Sequence, residues 1–251
     1  MTPDSFYEKS RMALNSDLIS TVAKMIEAGT DIIDIGASST RPGAQTPSAE
    51  EELARLKDVV PLLRNTFPDT LLSIDTFYSE VAEFALQNGV DIVNDISGGQ
   101  FDPELWNVIA KYKATYILTY HRGEKSNERT SYVKDHFMMD VLRYFSEKIA
   151  QLERLGIHNV ILDPGFGFGK TTEENYQLVQ SFDMLHLFEK PILVGISRKS
   201  MIRELLHVDI ENSLNGSTSL HTLLYLKNAH VFRVHDVKEM NEVRTLMEAS
   251  L

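Results

Sequence analysis

Short apolar runs alternate along this chain with longer segments whose apolar residues recur every three to four positions. Seven runs rich in valine, isoleucine and leucine predict buried β-strands. They lie at residues 31–36, 70–76, 90–96, 115–119, 159–163, 191–196 and 231–235. Each is followed by a segment with the period of an amphipathic helix, and the longest of these spans residues 137–155. Such alternation predicts right-handed crossovers and a parallel sheet.

The strand count favours an α/β protein of the (β/α)8 TIM barrel class, formed as one domain over residues 1–251. A barrel has eight strands. Only seven strands are predicted here, and the missing one is the first. Residues 1–6 look like the loop that would follow that strand, so we expect a truncated or mis-started chain. A doubly wound open sheet is the alternative. The barrel is favoured because no Gly-x-Gly-x-x-Gly follows the first predicted strand and because polar residues end strand after strand.

Capping residues mark several helix boundaries. Ser16 and Asp17 predict the start of the first helix. Ser48 and Glu51 form a capping-box signature that predicts one helix running on through Leu63. Residues 122–131 are polar and rich in charge, which predicts a loop.

Composition narrows the class of protein. Among the 251 residues, 43% are hydrophobic and 24% charged, which is ordinary for a globular domain. The absence of cysteine excludes disulfides, thiolate nucleophiles and cysteine metal sites. A net charge of -11 argues against a nucleic-acid partner. No apolar run is long enough to span a membrane, and the N-terminus lacks the pattern of a signal peptide, so we expect a cytoplasmic protein with no membrane partner.

Polar side chains cluster where the predicted strands end, and in a parallel barrel that end carries the chemistry. They are Asp34, Ser39, Thr40, Arg41, Asp75, Asn94, Asp95, Tyr120, His121, Arg122, Asp163, Ser197, Arg198, Lys199, Arg233, His235 and Asp236. Each alone has a structural reading as a helix cap or turn residue. Arg233 and His235 alternate along one predicted strand, so they share a face, and a barrel interior tolerates them there only with a partner or ligand.

Residues 163–171 combine a strand-ending carboxylate with three glycines, two phenylalanines and a lysine. The glycines allow a tight turn, and Phe168 supplies a planar apolar wall. Buried Asp and Asn side chains suit a flat heterocycle with several donors and acceptors, whereas Arg233, His235, Ser39 and Arg41 suit a phosphate or diphosphate. These residues predict an enzyme that binds a polar ring and an anionic group and stabilises charge without a covalent nucleophile.

The motifs that carry these residues resemble those of one family, the dihydropteroate synthases, which are pterin-binding enzymes of folate biosynthesis. The matching segments are residues 2–6, 39–43, 73–76, 94–99, 163–171, 195–200 and 233–237. They occur in family order and cover nearly the whole chain, and they look most like the Bacteroides-type form. The resemblance implies a (β/α)8 barrel that joins 4-aminobenzoate to 6-hydroxymethyl-7,8-dihydropterin diphosphate, with Mg²⁺ on the diphosphate and a homodimer formed through the last helices.

The resemblance also implies roles for single residues. The pterin would be held by Asp75, Asn94, Asp163 and Lys199. The diphosphate would be held by Arg233 and His235, which with Lys199 form the catalytic set. The 4-aminobenzoate site would be shaped by Thr40, Arg41, Pro42, Phe168 and Ser200, with Lys199 shared. Lys170 is then expected to be a structural or rim residue.

Two departures from the family pattern matter. The family's opening strand carries an asparagine that helps to hold Mg²⁺, and that position would precede Met1, so the metal ligand here is unknown. The family's Met-His-Met-Arg-Gly is replaced by residues 119–123, in which the histidine is shifted by one place. Because that shift reverses the side chain's direction, no role is carried over to His121. A pterin-binding paralogue with weakened catalysis and a methyltetrahydrofolate:corrinoid methyltransferase remain the alternatives.

Overall fold

A computed structural model describes residues 11–37, 47–121 and 137–250. The chain divides into two compact units. The first takes the chain up to Ile117 together with Leu155–Asn159, and the second takes Leu118–Arg154 and Val160–Leu251. The single domain expected from the sequence stays a prediction. In the described ranges, no helix is long and apolar enough to cross a membrane.

The first unit contains a parallel sheet and the helices that follow its strands. Its strands are β1 (Ile32–Gly36), β2 (Leu71–Asp75) and β3 (Ile92–Asp95), and β4 (Thr115–Thr119) begins in this unit. Its helices are α1 (Arg11–Glu27), α2 (Ala49–Leu56), α3 (Val59–Thr66), α4 (Ser79–Gln87) and α5 (Leu105–Tyr112). β2 pairs in parallel with both β1 and β3. Buried aliphatic side chains such as Ile33, Leu72 and Val93 form its core.

The second unit holds the end of β4 and the strands β5 (Val160–Asp163), β6 (Leu193–Val194) and β7 (Val231–Phe232). Its helices are α6 (Phe137–Arg154), α7 (Thr172–Gln180), α8 (Ser200–Leu206), α9 (Leu214–Leu226) and α10 (Val237–Glu248). Two 3-10 helices cover Phe182–Phe188 and Glu211–Ser213. β6 and β7 pair in parallel, and Leu162 bridges to Ile192 beside them. Phe145, Phe166 and Phe182 are fully buried in this unit.

All seven predicted strands are confirmed, and the last two are reduced to two residues each. The Arg233 N–H still donates to the Val194 carbonyl at 2.9 Å. The next donor of this segment toward β6, the His235 N–H, bonds to the Ser197 hydroxyl at 3.2 Å instead of to a backbone carbonyl. The ladder therefore ends before His235. The prediction that Arg233 and His235 lie inside a strand is wrong, since both follow β7.

Helix boundaries were predicted with mixed success. The capping box at Ser48 is confirmed, because the Glu51 N–H donates to Ser48 Oγ at 3.2 Å and the Ser48 N–H donates to Glu51 Oε2 at 2.9 Å. The single helix expected after it is wrong, since a turn at residues 57–58 separates α2 from α3. The start predicted at Ser16–Asp17 is also wrong. Asp17 lies inside α1, where its carbonyl accepts the Thr21 hydroxyl at 2.7 Å. The loop predicted at residues 122–131 lies outside the described residues.

Candidate active site

In the first unit, Asp75 and Asn94 lie at or next to the ends of neighbouring strands, and Asp34 lies within β1. Asp75 at the end of β2 is in register with Asn94 of β3 and with Gly36 of β1. Asn94 Nδ2 donates to Asp34 Oδ2 at 3.3 Å. A Cβ at Gly36 would lie 3.3 Å from Asp75 Cβ, so the glycine leaves room for that side chain. Parallel pairing thus brings two carboxylates and an amide to one edge of the sheet, as the sequence predicted.

Asp95 lies directly after Asn94, and its role is structural. Its fully buried carboxylate accepts the Tyr116 hydroxyl and the N–H of Gly99, each at 2.7 Å. Burial raises the pKa of Asp95, and these hydrogen bonds oppose that rise. Trp106 Nε1 donates in turn to the Tyr116 hydroxyl at 3.0 Å. This network stabilises the loop that follows Asn94. Asp95 is therefore a structural residue and not one of the polar groups presented at the strand ends.

In the second unit, a buried carboxylate and an amine form the centre of the predicted site. Asp163 at the end of β5 is 8% exposed and accepts the Gly165 N–H at 2.7 Å. Burial raises the pKa of Asp163, and the charge of Lys199 opposes that rise. Burial also lowers the pKa of Lys199 to about 8, a fall that Asp163 opposes and Arg233 reinforces. Each charge therefore favours the ionised form of the other group, in an environment that favours the neutral form of both.

The glycine-rich turn after β5 wraps around the Lys199 side chain. The Lys199 amino group donates to the Phe166 carbonyl and lies 4.6 Å from the centroid of the Phe168 ring. A Cβ at Gly167, whose φ is +83°, would come within 3.0 Å of Lys199 Cδ. Only glycine suits that combination of left-handed backbone and close approach. The turn thus supplies an aromatic wall beside the amine, and a cation over a ring face is attractive.

Lys170 stabilises the turn from within. Its amino group donates to the carbonyls of Gly165, Phe168 and Tyr120, at 2.6, 3.2 and 3.3 Å. It also lies 4.6 Å from the centroid of the Tyr120 ring. These contacts confirm that Lys170 is a structural residue, because its donors are taken by the backbone of the turn.

Arg233 and His235 follow β7 in the second unit. His235 Nδ1 lies 3.0 Å from the Ser197 hydroxyl. Burial and the charge of Arg233 lower the pKa of His235, and Asp236 opposes this. The first two effects favour the uncharged form of the imidazole. Arg233 lowers the pKa of Lys199 and stabilises ionised Asp163, so it lies close enough to act on both. The second unit thus brings a cation and an imidazole into the electrostatic neighbourhood of Lys199.

The structure describes some of the remaining predicted residues and not others. Thr40, Arg41 and Pro42 lie outside the described residues. Ser200 is exposed at the first position of α8, directly after Lys199. His121, to which the sequence assigned no role, has its ring centroid 6.0 Å from that of Phe168. Its position after a strand end was the only signal available. Ser197 also gains importance, because its hydroxyl contacts His235.

These side chains define what each unit can do. The first presents carboxylate and amide groups that can accept and donate hydrogen bonds to a flat heterocycle. The second presents a carboxyl group and an amine that influence each other electrostatically, an aromatic wall and an arginine suited to an anion. The described residues contain no group of three or more His, Asp or Glu that could hold a metal by themselves. The arrangement suits binding and charge stabilisation.

Comparison with known proteins agrees with this chemistry. A family model described as pterin binding enzyme matches residues 1–235. The dihydropteroate synthase of Escherichia coli K12 is 38% identical over 253 aligned residues, which cover 100% of this chain and 89% of that protein. A match of this extent takes in every predicted site residue.

Solved structures also resemble the chain over nearly its whole length. Clostridium difficile dihydropteroate synthase, crystallised with pteroic acid, has a TM-score of 0.91 at 34% identity and covers 99% of this chain and 93% of its own. Xanthomonas albilineans dihydropteroate synthase with 4-aminobenzoic acid has a TM-score of 0.89 at 32% identity and covers 99% and 89%. This likeness confirms the predicted (β/α)8 barrel class. With the strand-end residues and the family match, it establishes that the chain belongs to the pterin-binding enzyme family.

Proposed function

We propose that this protein is a dihydropteroate synthase, a transferase that condenses 6-hydroxymethyl-7,8-dihydropterin diphosphate with 4-aminobenzoate. The products are 7,8-dihydropteroate and diphosphate. The observation that carries the proposal is the Lys199 amino group over the Phe168 ring and within the electrostatic influence of Asp163, in a chain that is 38% identical over its full length to an enzyme of that name. The pair offers an acceptor and a donor to a ring, and the aromatic wall offers a surface to a second ring.

The pterin is the ligand proposed for Asp75, Asn94, Asp163 and Lys199. A pterin edge carries an amide and an amino group, so it needs both acceptors and donors. The Asp75 and Asn94 side chains provide both kinds at the edge of the first unit's sheet. Asp163 and Lys199 provide both kinds in the second unit. Ionised Asp163 suits the ring N–H and amino donors, and the Lys199 amino group suits a ring acceptor.

Arg233 and His235 are proposed to bind the diphosphate. In the reaction the bond from the methylene carbon to the diphosphate oxygen breaks, a carbon–nitrogen bond forms, and the amine loses a proton. Negative charge grows on the leaving oxygen, so the Arg233 guanidinium stabilises the transition state more than the ground state. Neutral His235 can donate a hydrogen bond to the same group.

Mg²⁺ is the cofactor proposed for this step. Mg²⁺ commonly binds substrate phosphates and water with only one or two protein carboxylates, which fits the absence of a three-ligand cluster among the residues that the structure describes. Bound to the diphosphate, it would neutralise charge on the leaving group. Its protein ligand stays unassigned.

The 4-aminobenzoate is proposed to lie against Phe168, with Lys199 and Ser200 at the same wall and with Thr40, Arg41 and Pro42 as further contacts. Lys199 suits this shared role because its amino group faces the Phe168 ring. A cytoplasmic location and a homodimer are proposed with the function. The dimer is supported by exposed leucines on α9 and α10, namely Leu223, Leu226 and Leu246.

One assay tests the function. Purified protein is mixed with the pterin diphosphate, 4-aminobenzoate and Mg²⁺, and dihydropteroate is followed. We expect product from the wild type and a loss of about 100- to 1,000-fold for Lys199→Ala and Arg233→Ala, the range found when one charge-stabilising group is removed. Lys111→Ala is the matched control, because Lys111 is an exposed residue of α5 whose amine pairs only at the surface with Glu83.

The outcomes separate the alternatives. Tight pterin binding without product would identify a paralogue with weakened catalysis. Methyl transfer from methyltetrahydrofolate to a corrinoid would identify a methyltransferase. Equal losses for Lys111→Ala and Lys199→Ala would show that the assay reports folding rather than the proposed site.

A further inference from the structure

One ion pair joins the neighbours of two proposed site residues. Arg198 precedes Lys199, and Asp236 follows His235. Arg198 Nε donates to Asp236 Oδ2 at 2.8 Å, and Nη2 donates to Oδ1 at 2.7 Å. Each side chain is only 20% exposed. A bidentate pair of this kind fixes orientation as well as distance, and partial burial shields it from solvent.

The rest of Arg198 is also held. Its Nη1 donates to the carbonyls of Ile210 and Glu211, at 2.7 and 3.3 Å. Its backbone N–H donates to the Ser217 hydroxyl at 2.9 Å. Arg198 has φ of +56°, a left-handed conformation that costs free energy for a residue other than glycine. Contacts with three separate segments stabilise this conformation, and the conformation sets the direction in which the chain enters Lys199.

A second link joins the same two loops. Ser197 Oγ accepts the His235 N–H at 3.2 Å and lies 3.0 Å from His235 Nδ1. The loop after β6 is therefore tied to the segment after β7 by two consecutive residues, Ser197 and Arg198. Neither strand could provide this connection alone, because β6 and β7 are two residues each. The side-chain bonds continue the alignment that the backbone ladder begins.

We infer that Arg198 and Asp236 are positioning residues, which hold Lys199 at a set distance from Arg233 and His235 without touching either substrate. The inference rests on the proposed function, because it concerns the groups assigned there to the pterin and the diphosphate. The amine on one substrate must meet the carbon that the diphosphate leaves, so their binding groups have to be aligned. A displacement of about 1 Å in such groups can cost about 100-fold in rate.

The chain offers a matched control in Arg64. Its Nη2 pairs with Asp91 Oδ2 at 2.6 Å, and its other donors bond to the carbonyls of Gly89, Pro68 and Thr70, each at 2.9 Å. Its side chain is 21% exposed, close to the value for Arg198. Asp91 and Thr70 precede β3 and β2, whereas Asn94 and Asp75 lie at the far ends of those strands. Arg64 is thus an equally bonded arginine away from the polar strand ends.

The experiment compares wild type, Arg198→Ala, Asp236→Ala, the double variant and Arg64→Ala. Steady-state rates for both substrates are measured together with urea unfolding. We expect about a 100-fold loss in kcat/KM for the pterin diphosphate in each variant of the pair. The double variant should lose no more than either single one, because removing one partner already frees the other. Arg64→Ala should lower stability comparably and leave kcat/KM unchanged. Asp236→Asn, which keeps the shape of the side chain, covers the case that the alanine variants do not fold.

Three results would overturn the inference. Wild-type kcat/KM in folded Arg198→Ala or Asp236→Asn would show that the pair does not position the site. Equal losses in Arg198→Ala and Arg64→Ala would reduce the effect to general stability. Losses that multiply in the double variant would show that the two residues act separately. Failure of the wild type to form dihydropteroate would refute the proposed function instead. Partial recovery of Arg198→Ala by added guanidinium ion would further support the role.

Discussion

Lys199 shows how the properties of one residue depend on its surroundings. A lysine in a loop after a strand has an ordinary pKa of 10.5, and here burial lowers the pKa to about 8. Asp163 keeps the fall from being larger. The amine is therefore charged at neutral pH and loses its proton in the mildly alkaline range. The role of this charge can therefore be tested by measuring activity as a function of pH.

The first prediction concerns the alkaline limb of activity. If charged Lys199 binds substrate, kcat/KM should fall as pH rises through about 8. Lys199→Arg should move that limb upward, because a guanidinium keeps its proton. The measurement is kcat/KM for both substrates from pH 6 to 10, and NMR titration of labelled lysine gives the pKa without turnover. A limb that stays in place in Lys199→Arg would assign it to another group.

The contribution of Lys199 to stability should rise with pH over the range in which activity falls. Between pH 8 and 10.5 the unfolded lysine binds more protons than the folded one. The free energy of unfolding therefore rises with pH in that window as far as Lys199 is concerned. Loss of activity above pH 8 with no loss of stability from this residue would separate a charge requirement from unfolding.

The positions of several candidate site residues could be predicted from the sequence, whereas some of their contacts could not. Asp75, Asn94, Asp163 and Lys199 were found because each ends or follows an apolar run. Each of them lies in a short motif that is visible in the sequence alone. The contact between His121 and the Phe168 ring could not be predicted, because it joins segments far apart in the chain. No local pattern encodes such a contact.

At the scale of elements, α9 carries a buried histidine that the sequence did not single out. His221 is 4% exposed, and its ring meets Phe232 edge-on at 5.8 Å between centroids. Its Nε2 is buried and makes no hydrogen bond. Burial lowers the pKa of His221 to about 4, and Asp236 opposes that fall. The helix is therefore packed around a neutral imidazole.

Acid should weaken this packing. The unfolded His221 takes up a proton near pH 6.5 and the folded one only near pH 4. The free energy of unfolding therefore decreases as the pH is lowered from about 6.5 to about 4. The contribution of His221 between pH 7 and pH 5 is about 2 kcal/mol. His221→Leu should remove that part of the slope. At pH 7 its stability should lie within about 1 kcal/mol of wild type, since a buried nitrogen without a hydrogen bond is also removed.

Urea unfolding of both proteins at pH 5 and pH 7 measures the difference. Leu224→Ala is a suitable control, because Leu224 is a fully buried residue of the same helix that does not titrate. It should lower stability equally at both pH values. An unchanged pH slope in His221→Leu would mean that His221 has the same pKa in the folded and the unfolded protein.

At the scale of the whole molecule, the proposed homodimer gives a prediction. Leu246 on α10 is 63% exposed, and Leu226 on α9 is 52% exposed. Exposed leucines on helices that pack together indicate a surface for another protein. Wild type should sediment at twice the 28.5 kDa mass of the chain, and Leu246→Glu should sediment as a monomer, because a buried unpaired carboxylate is costly.

Leu71→Glu is the control for that change. Leu71 is 46% exposed at the start of β2 in the first unit, whereas α9 and α10 belong to the second. It should leave the mass unchanged. A wild-type monomer at micromolar concentration, or a dimer that survives Leu246→Glu, would refute the role of this surface.

The amino-acid sequence by itself determined the class of fold, the order of strands and helices, and the identity of most polar strand-end residues. These follow from local periodicity and from short motifs, because hydrophobic spacing reports secondary structure directly. Only the tertiary structure decided where β6 and β7 stop, how Lys199 lies against Phe168, and that Arg198 pairs with Asp236 across 38 positions of chain. Those features depend on side chains that meet through folding, so no window of sequence contains both partners.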